Sequence, residues 1–464
     1  MASYRPKHVR KNTGAILVRV LIIVLIVALF AGGGWGVYHF LLDPAARTTP
    51  TIPTIQTEAT LAPPPTHPPT EAPTEAPTEP DYTEAVKSYL SDMSLDEKIM
   101  QLFIVTPEEL TGVDVATIAG DTTKERLEKY PVGGIIYSSK NVENEKQIKE
   151  LLEKTQGYSK TPLFLGVIEE GGSISGIATK LKETVTKDMY EYKDEGEETA
   201  QKNAKYIADY LTKYGFNMNL APNANVWSNQ ANTVVGSRAY SDDFEKAAAL
   251  VAAAVKGYDE GSIINAVKQF PGMGDAEESD EYPIPVLNKE RDEISSAELK
   301  TFKAGIDAGA DMVMVGHMMV ESLDKDVPTT FSEKIVPELL RVDLAYDGAV
   351  VSSSLSAGVI TQNYSVEEIV DGLFKADIDI FLTPTDLDAY REAIKSAIEN
   401  ETITEEQIDA KVSRILNIKF KNGLLTAASD ETQAPTVSGE TVAPEETAAV
   451  TEDTAPTEQT EAAN

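Results

Sequence analysis

Lys268 to Asp275 reads KQFPGMGD, and it closes an apolar run that begins at Ile263. Seven or eight residues rich in Ile, Val and Phe, halted by Pro271, Gly272 and Gly274, have the form of a buried strand running into a tight backbone turn. The same form recurs along the chain. Gln101–Val105, Val132–Ser138, Pro162–Ile168, Asn217–Val226, Asp311–His317, Gly348–Leu355 and Ile378–Pro384 are the other strand candidates. Between them lie helical stretches. Val142–Thr155 has apolar residues at helical spacing with many Glu/Lys pairs, Phe244–Tyr258 is alanine-rich, and Ser296–Ala308 opens on a serine suited to capping. Eight strand–helix alternations within residues 82–426 predict an α/β fold, a (β/α)8 barrel of the TIM type. An open doubly wound sheet is the alternative. No glycine-rich phosphate loop follows the first strand, which counts against a dinucleotide fold.

The flanks differ in kind from this unit. Residues 1–19 carry Arg5, Lys7, Arg10, Lys11 and Arg19 and no acid, and 20–42 then run 23 residues without a formal charge. As a helix that run spans about 34 Å, enough for a hydrocarbon core of about 30 Å. The basic flank predicts a single-pass anchor with a cytoplasmic amino terminus and an extracellular barrel. A cleaved signal peptide, with Ala28 and Ala31 near the cut, is the competing reading. Residues 43–81 are a Pro/Thr-rich linker containing TEAPTEAPTEP, semi-rigid and extended. Residues 427–464 hold nine acids and no base, an acidic low-complexity tail expected to be disordered.

Net charge is −34, of which the unit 82–426, with 35 basic and 60 acidic residues, holds −25. Such a surface disfavours nucleic acid and anionic wall polymers as partners. Without cysteine the chain forms no disulfide, thiolate nucleophile or cysteine metal site.

The KQFPGMGD run resembles the KHFPGHGD segment of family 3 glycoside hydrolases, in the bacterial β-N-acetylglucosaminidase branch. Gln269 and Met273 stand where that pattern has histidines. SLDEKIMQLF from Ser94, VGGIIYSSKNV, GFNMNLAPNANV, GSRAYSDD, AGADMVMVGH and the closing VSRILNIKFKNGL are similar to family segments in the same order. The resemblance implies a barrel whose site lies at the carboxyl ends of the strands.

It also implies residue roles, and several are unfilled. The family's nucleophilic aspartate falls on Ser353, within SSSL. Its Asp-Ser-His acid/base segment falls on Ser279 to Glu281. A sugar-binding aspartate in VDQEGG falls on Ile168. Arg238 and Lys268 match sugar-binding positions. Gln269 can donate and accept like an imidazole, and His317 matches a histidine at the sixth strand end. Glu169 and Glu170 are adjacent, so in extended backbone at most one reaches the pocket. The substrate-binding set is thus Arg238, Lys268, Gln269, Glu170 and His317, and the degenerate catalytic set is Ser353, Ser279 and Glu281. A serine hydroxyl carries no charge to stabilise the cationic transition state of a retaining glycosidase.

Three functions follow as expectations. The first is a membrane-anchored, catalytically inactive barrel that binds a cell-wall or amino-sugar glycan or a muropeptide. The second is an active β-N-acetylhexosaminidase with reassigned carboxylates, Glu281 as acid and Glu169 or Glu170 activating water. The third is a structural or protein-interaction surface protein, its former cleft filled by side chains such as Ile168 and Met273. Neither a metal nor an organic cofactor is implied.

Overall fold

A computed structural model describes residues 81–278 and 284–426. The candidate anchor 20–42, the linker up to residue 80, the tail 427–464, and Ser279 and Glu281 lie outside the described residues. Among the described residues no helix is long and apolar enough to cross a membrane.

Eight parallel strands follow one another around the sheet: β1 (Phe103–Val105), β2 (Gly134–Ile136), β3 (Phe164–Val167), β4 (Met218–Asn219), β5 (Ile264–Phe270), β6 (Met312–Val315), β7 (Ala349–Val351) and β8 (Phe381–Leu382). β1 pairs with β8 through Phe103 and Phe381, and a parallel bridge between Val351 and Ile380 joins β7 to the β8 segment. The sheet therefore wraps into a barrel, which sets aside the open doubly wound alternative. Apart from the half-buried Gln269, the strand residues are buried, as expected when one face fills the barrel and the other is covered by helices. β4 is far shorter than the apolar run 217–226 suggests, because Pro222 has no N–H to continue the ladder.

The covering helices include α1 (Thr83–Ser91), α2 (Glu145–Tyr158), α3 (Gly176–Leu181), α4 (Glu197–Tyr214), α5 (Phe244–Glu260), α6 (Leu299–Asp307), α7 (Val366–Lys375) and α8 (Glu405–Lys421). Ser296 does not cap α6. It ends a separate short helix, Arg291–Ser296, and Glu298 precedes α6 without a side-chain cap. α7 shows how a local pair starts a helix. The Ser365 hydroxyl accepts from Glu368 N–H while the Glu368 carboxylate accepts from Ser365 N–H. Ser365→Ala is expected to lower stability by about 1 kcal/mol, read by urea unfolding; no change would remove the box from the account of α7.

α8 runs to the barrel floor, the end where the strands begin. There Lys419 enters the core with no exposed surface, donating to Gln101 Oε1 (2.7 Å) and the Gly133 carbonyl (3.1 Å), 4.8 Å from the centre of the Phe164 ring. Beside it Phe420 stacks on Tyr82, ring centres 5.8 Å apart, so α1 and α8 meet at the floor.

Candidate functional site

The opposite end, where the strands finish, forms the mouth. β5 leads into it through the KQFPGMGD turn. Gly272 has φ +123°, a left-handed conformation that favours glycine, and a Cβ at Gly274 would lie 1.5 Å from the Val226 carbonyl oxygen. Gly274 lets the turn fold back on the segment after β4, while Gly272 lies against Glu298, whose Cγ a Cβ would meet at 2.8 Å. Asp275 braces it, accepting from Ser228 Oγ (3.3 Å) and pairing with Lys289 (3.1 Å).

Three of the predicted residues come together beneath the mouth. Glu170, after β3, pairs with Lys268 Nζ (2.6 Å) and with Arg238 through Nη2 (2.6 Å) and Nε (2.9 Å). Glu170 and Lys268 are buried, and Arg238 is half-buried. Burial alone pushes the Glu170 carboxyl up, but Lys268 and Arg238 together hold it down to about 2. Burial draws the Lys268 ammonium below its ordinary value, against the pull of Glu170. The group is an ion-paired triad in which two cations share one carboxylate.

Glu169 turns the other way, as its place in extended backbone requires. Its carboxylate accepts from Ile177 N–H (3.0 Å), Ala178 N–H (2.8 Å) and Tyr210 O–H (2.9 Å), holding the start of α3. Burial nevertheless raises its pKa. Asn219 fixes the Glu169 backbone from both sides, accepting from its N–H and donating to its carbonyl.

The remaining predicted residues are engaged separately. Gln269 Oε1 accepts from Asn225 Nδ2 (3.0 Å), while Asn225 Oδ1 accepts from Met273 N–H (2.7 Å). His317 Nε2 lies 3.0 Å from the Ser354 carbonyl, to which it can only donate, and Nδ1 lies 2.7 Å from Thr330 Oγ1. Burial lowers its pKa, favouring the neutral ring. Ser353, just beyond β7, donates its hydroxyl proton to the Val315 carbonyl (2.8 Å). No carboxylate or imidazole is bonded to that hydroxyl among the described residues, so nothing is placed to activate it.

The loop after the turn is stapled at its stem. Glu277 and Val286 exchange two backbone hydrogen bonds (2.9 and 2.8 Å), and Leu287 N–H and Met319 N–H bond to the Met319 and Pro285 carbonyls. Sequence reasoning missed Asn219, Asn225 and Thr330. The NMNLAPNANV segment marked the family but gave no periodic signal separating its bracing amides from loop asparagines.

Beside the triad the mouth holds a cavity of about 480 Å³ bounded by the ends of β1, β2, β3 and β8 and by Ser354 beyond β7. Ile168, 41% exposed, stands on its wall. Arg238, Lys268, Gln269 and Ser353 do not line it.

Comparison with known proteins places this architecture. Residues 94–418 match the model of the glycosyl hydrolase family 3 N terminal domain. The chain is 28% identical over 326 residues to beta-hexosaminidase A of Pseudoalteromonas piscicida, across 64% of this chain and 54% of that protein. It is 29% identical over 267 residues to a beta-hexosaminidase of Neisseria gonorrhoeae, across 56% and 73% respectively. A solved family 3 beta-N-acetylglucosaminidase from Paenibacillus sp. superposes with a TM-score of 0.67 at 29% identity, covering 76% of this chain and 66% of that one. The chain thus spans about half the length of the Pseudoalteromonas relative. With a closed parallel barrel and a family match over most of its length, the chain belongs to glycosyl hydrolase family 3.

Proposed function

We propose that this protein is a non-hydrolytic family 3 barrel that holds a cell-wall or amino-sugar glycan at its mouth while anchored at the cell surface by residues 20–42. The observation that carries the reading is the state of the strand-end groups. Ser353, at the family's nucleophile position, gives its proton to the Val315 carbonyl. Glu170 is bound by two cations and Glu169 by α3, so neither is free to take a proton from water. A retaining glycosidase sets two carboxyl groups about 5–5.5 Å apart across the cleft, and an inverting one about 6.5–9.5 Å. The carboxylates after β3 are committed to other work. The cavity at the mouth, within the ~300–1,000 Å³ usual for small-molecule sites, supports ligand binding without chemistry. The 23 uncharged residues behind a basic flank support the anchor.

The test joins turnover to binding on the full chain. An aryl β-N-acetylglucosaminide is expected to be cleaved no faster than in buffer, while N-acetylglucosamine or isolated wall fragments bind in calorimetry. Turnover that Glu281→Gln abolishes would instead establish reassigned carboxylates.

A further inference from the structure

We infer that the cavity at the barrel floor, between α1, α8 and the starts of β6 and β7, binds a single carboxylate on an apolar body, received by the uncommitted edge of Arg414. The cavity lies at the pole opposite the mouth and takes no residue from the triad.

Arg414, on α8, is held from one side and lines the cavity. Its Nη1 donates to Asp379 (2.8 Å) and Asp377 (3.2 Å), while Nε and Nη2 have no acceptor among the described residues. Two carboxylates thus fix the guanidinium without using it up. The N–H groups that remain form a planar fork suited to one carboxylate.

The charge count around Arg414 favours an anion. Three cations, Arg341, Lys411 and Arg414, share the two carboxylates of Asp377 and Asp379, so one positive charge is left over. Asp379 and Lys411 are buried, where a surplus is costly. Burial alone would raise the Asp377 carboxyl, yet Lys411, Arg341 and Arg414 hold it down to about 2, and it stays charged. Burial draws the Lys411 ammonium below its ordinary value and Arg414 pushes the same way, against the pull of Asp379 and Asp377. An anion at the free edge of Arg414 answers the surplus.

The other ionised groups on the wall cancel in pairs. Lys421 lies 3.3 Å from Asp311, whose carboxylate also accepts from Asn265 and Asn422. Lys87 on α1 and Asp347 before β7 are exposed, with opposite charges and no partner among the described residues. A surplus of one charge matches a carboxylate better than a phosphate group, which brings nearly two. Val86, Leu90, Tyr346 and Ile418 give this cavity of about 500 Å³ its apolar surface, against which the body of the ligand loses water.

Two sources can supply the group: a free organic acid, or the nine acids that follow α8 in residues 427–464. The experiment separates them. The full chain is titrated with benzoate and with neutral benzamide, and so is a full-length variant whose nine tail acids are replaced by their amides. Binding is read by calorimetry, and folding of each protein by thermal melting. Benzoate is expected to bind at least roughly tenfold tighter than benzamide in the amide-tail variant. Equal benzoate binding in the parent assigns the site to a free acid, and binding only in the variant assigns it to the tail; either result supports the site. Within the amide-tail chain, Leu90→Trp fills the cavity and carries no part of the ion network, while Arg414→Lys keeps the charge and removes the fork. Each is expected to weaken benzoate binding at least roughly tenfold. Benzoate that binds the amide-tail variant no tighter than benzamide, or that binds the folded Leu90→Trp or Arg414→Lys protein undiminished, overturns the inference.

Discussion

Glu170→Gln is expected to destabilise the barrel by about 3–5 kcal/mol, because it leaves Lys268 buried with its charge unanswered and removes the bidentate partner of Arg238. The carboxylate of Glu170 lies 2.6 Å from both cations, and burial makes any uncompensated charge there costly. A second replacement separates pairing from packing. Glu170→Gln combined with Lys268→Met removes both charges at similar volume and should recover most of the loss. The pH dependence has a defined sign. The Glu170 carboxyl is held at about 2 in the fold, below its ordinary 4.5. Its contribution is complete above the ordinary value and disappears as pH falls from about 4.5 to 2. Urea unfolding at neutral pH and at pH 3 checks both statements. A loss under about 1 kcal/mol for the single variant would mean that water already reaches the triad.

Lys419→Met carries the second large effect, and it is stabilising at neutral pH. Burial pulls the Lys419 ammonium from 10.5 to about 7. Its bonded partners are the neutral Gln101 Oε1 and Gly133 carbonyl, with the Phe164 ring nearby. Between pH 7 and 10.4 the unfolded chain binds the proton that the folded chain releases, so the parent protein gains stability as pH rises through that window. The full span corresponds to roughly 4–5 kcal/mol, at about 1.4 kcal/mol for each unit. The methionine variant lacks that proton equilibrium. The gap between variant and parent should be largest near pH 7 and shrink steadily by pH 9.5, a comparison in which the tyrosines titrate alike. A gap that stays constant across the window would show that Lys419 keeps its charge through water or local opening.

The barrel was legible because its strands are buried on both faces. Each reads as a short apolar run closed by glycine, proline or a polar turn, and eight such runs in register with intervening helices admit few topologies. Strand lengths were less legible: a proline at 222 and the bracing amides around it end β4 well before its apolar run ends. At the site, sequence brought Arg238, Lys268 and Glu170 onto one list but gave no reason to join them. Positions 170, 238 and 268 share no element or spacing, and only the barrel's closure brings their opposite charges into contact. The adjacent acids were readable in part, since alternation sends Glu169 and Glu170 to different sides. That Glu169 would hold α3, and that Ser353 would turn to the Val315 carbonyl, depends on backbone groups whose positions follow from the fold alone.

The stacking of Tyr82 on Phe420 has a mechanical consequence. Both covalent exits of the barrel leave from one pole, the floor, where α1 begins and α8 ends. A pull on either flank is therefore borne first by the α1–α8 seam, and the strand ends at the far pole carry no part of that load.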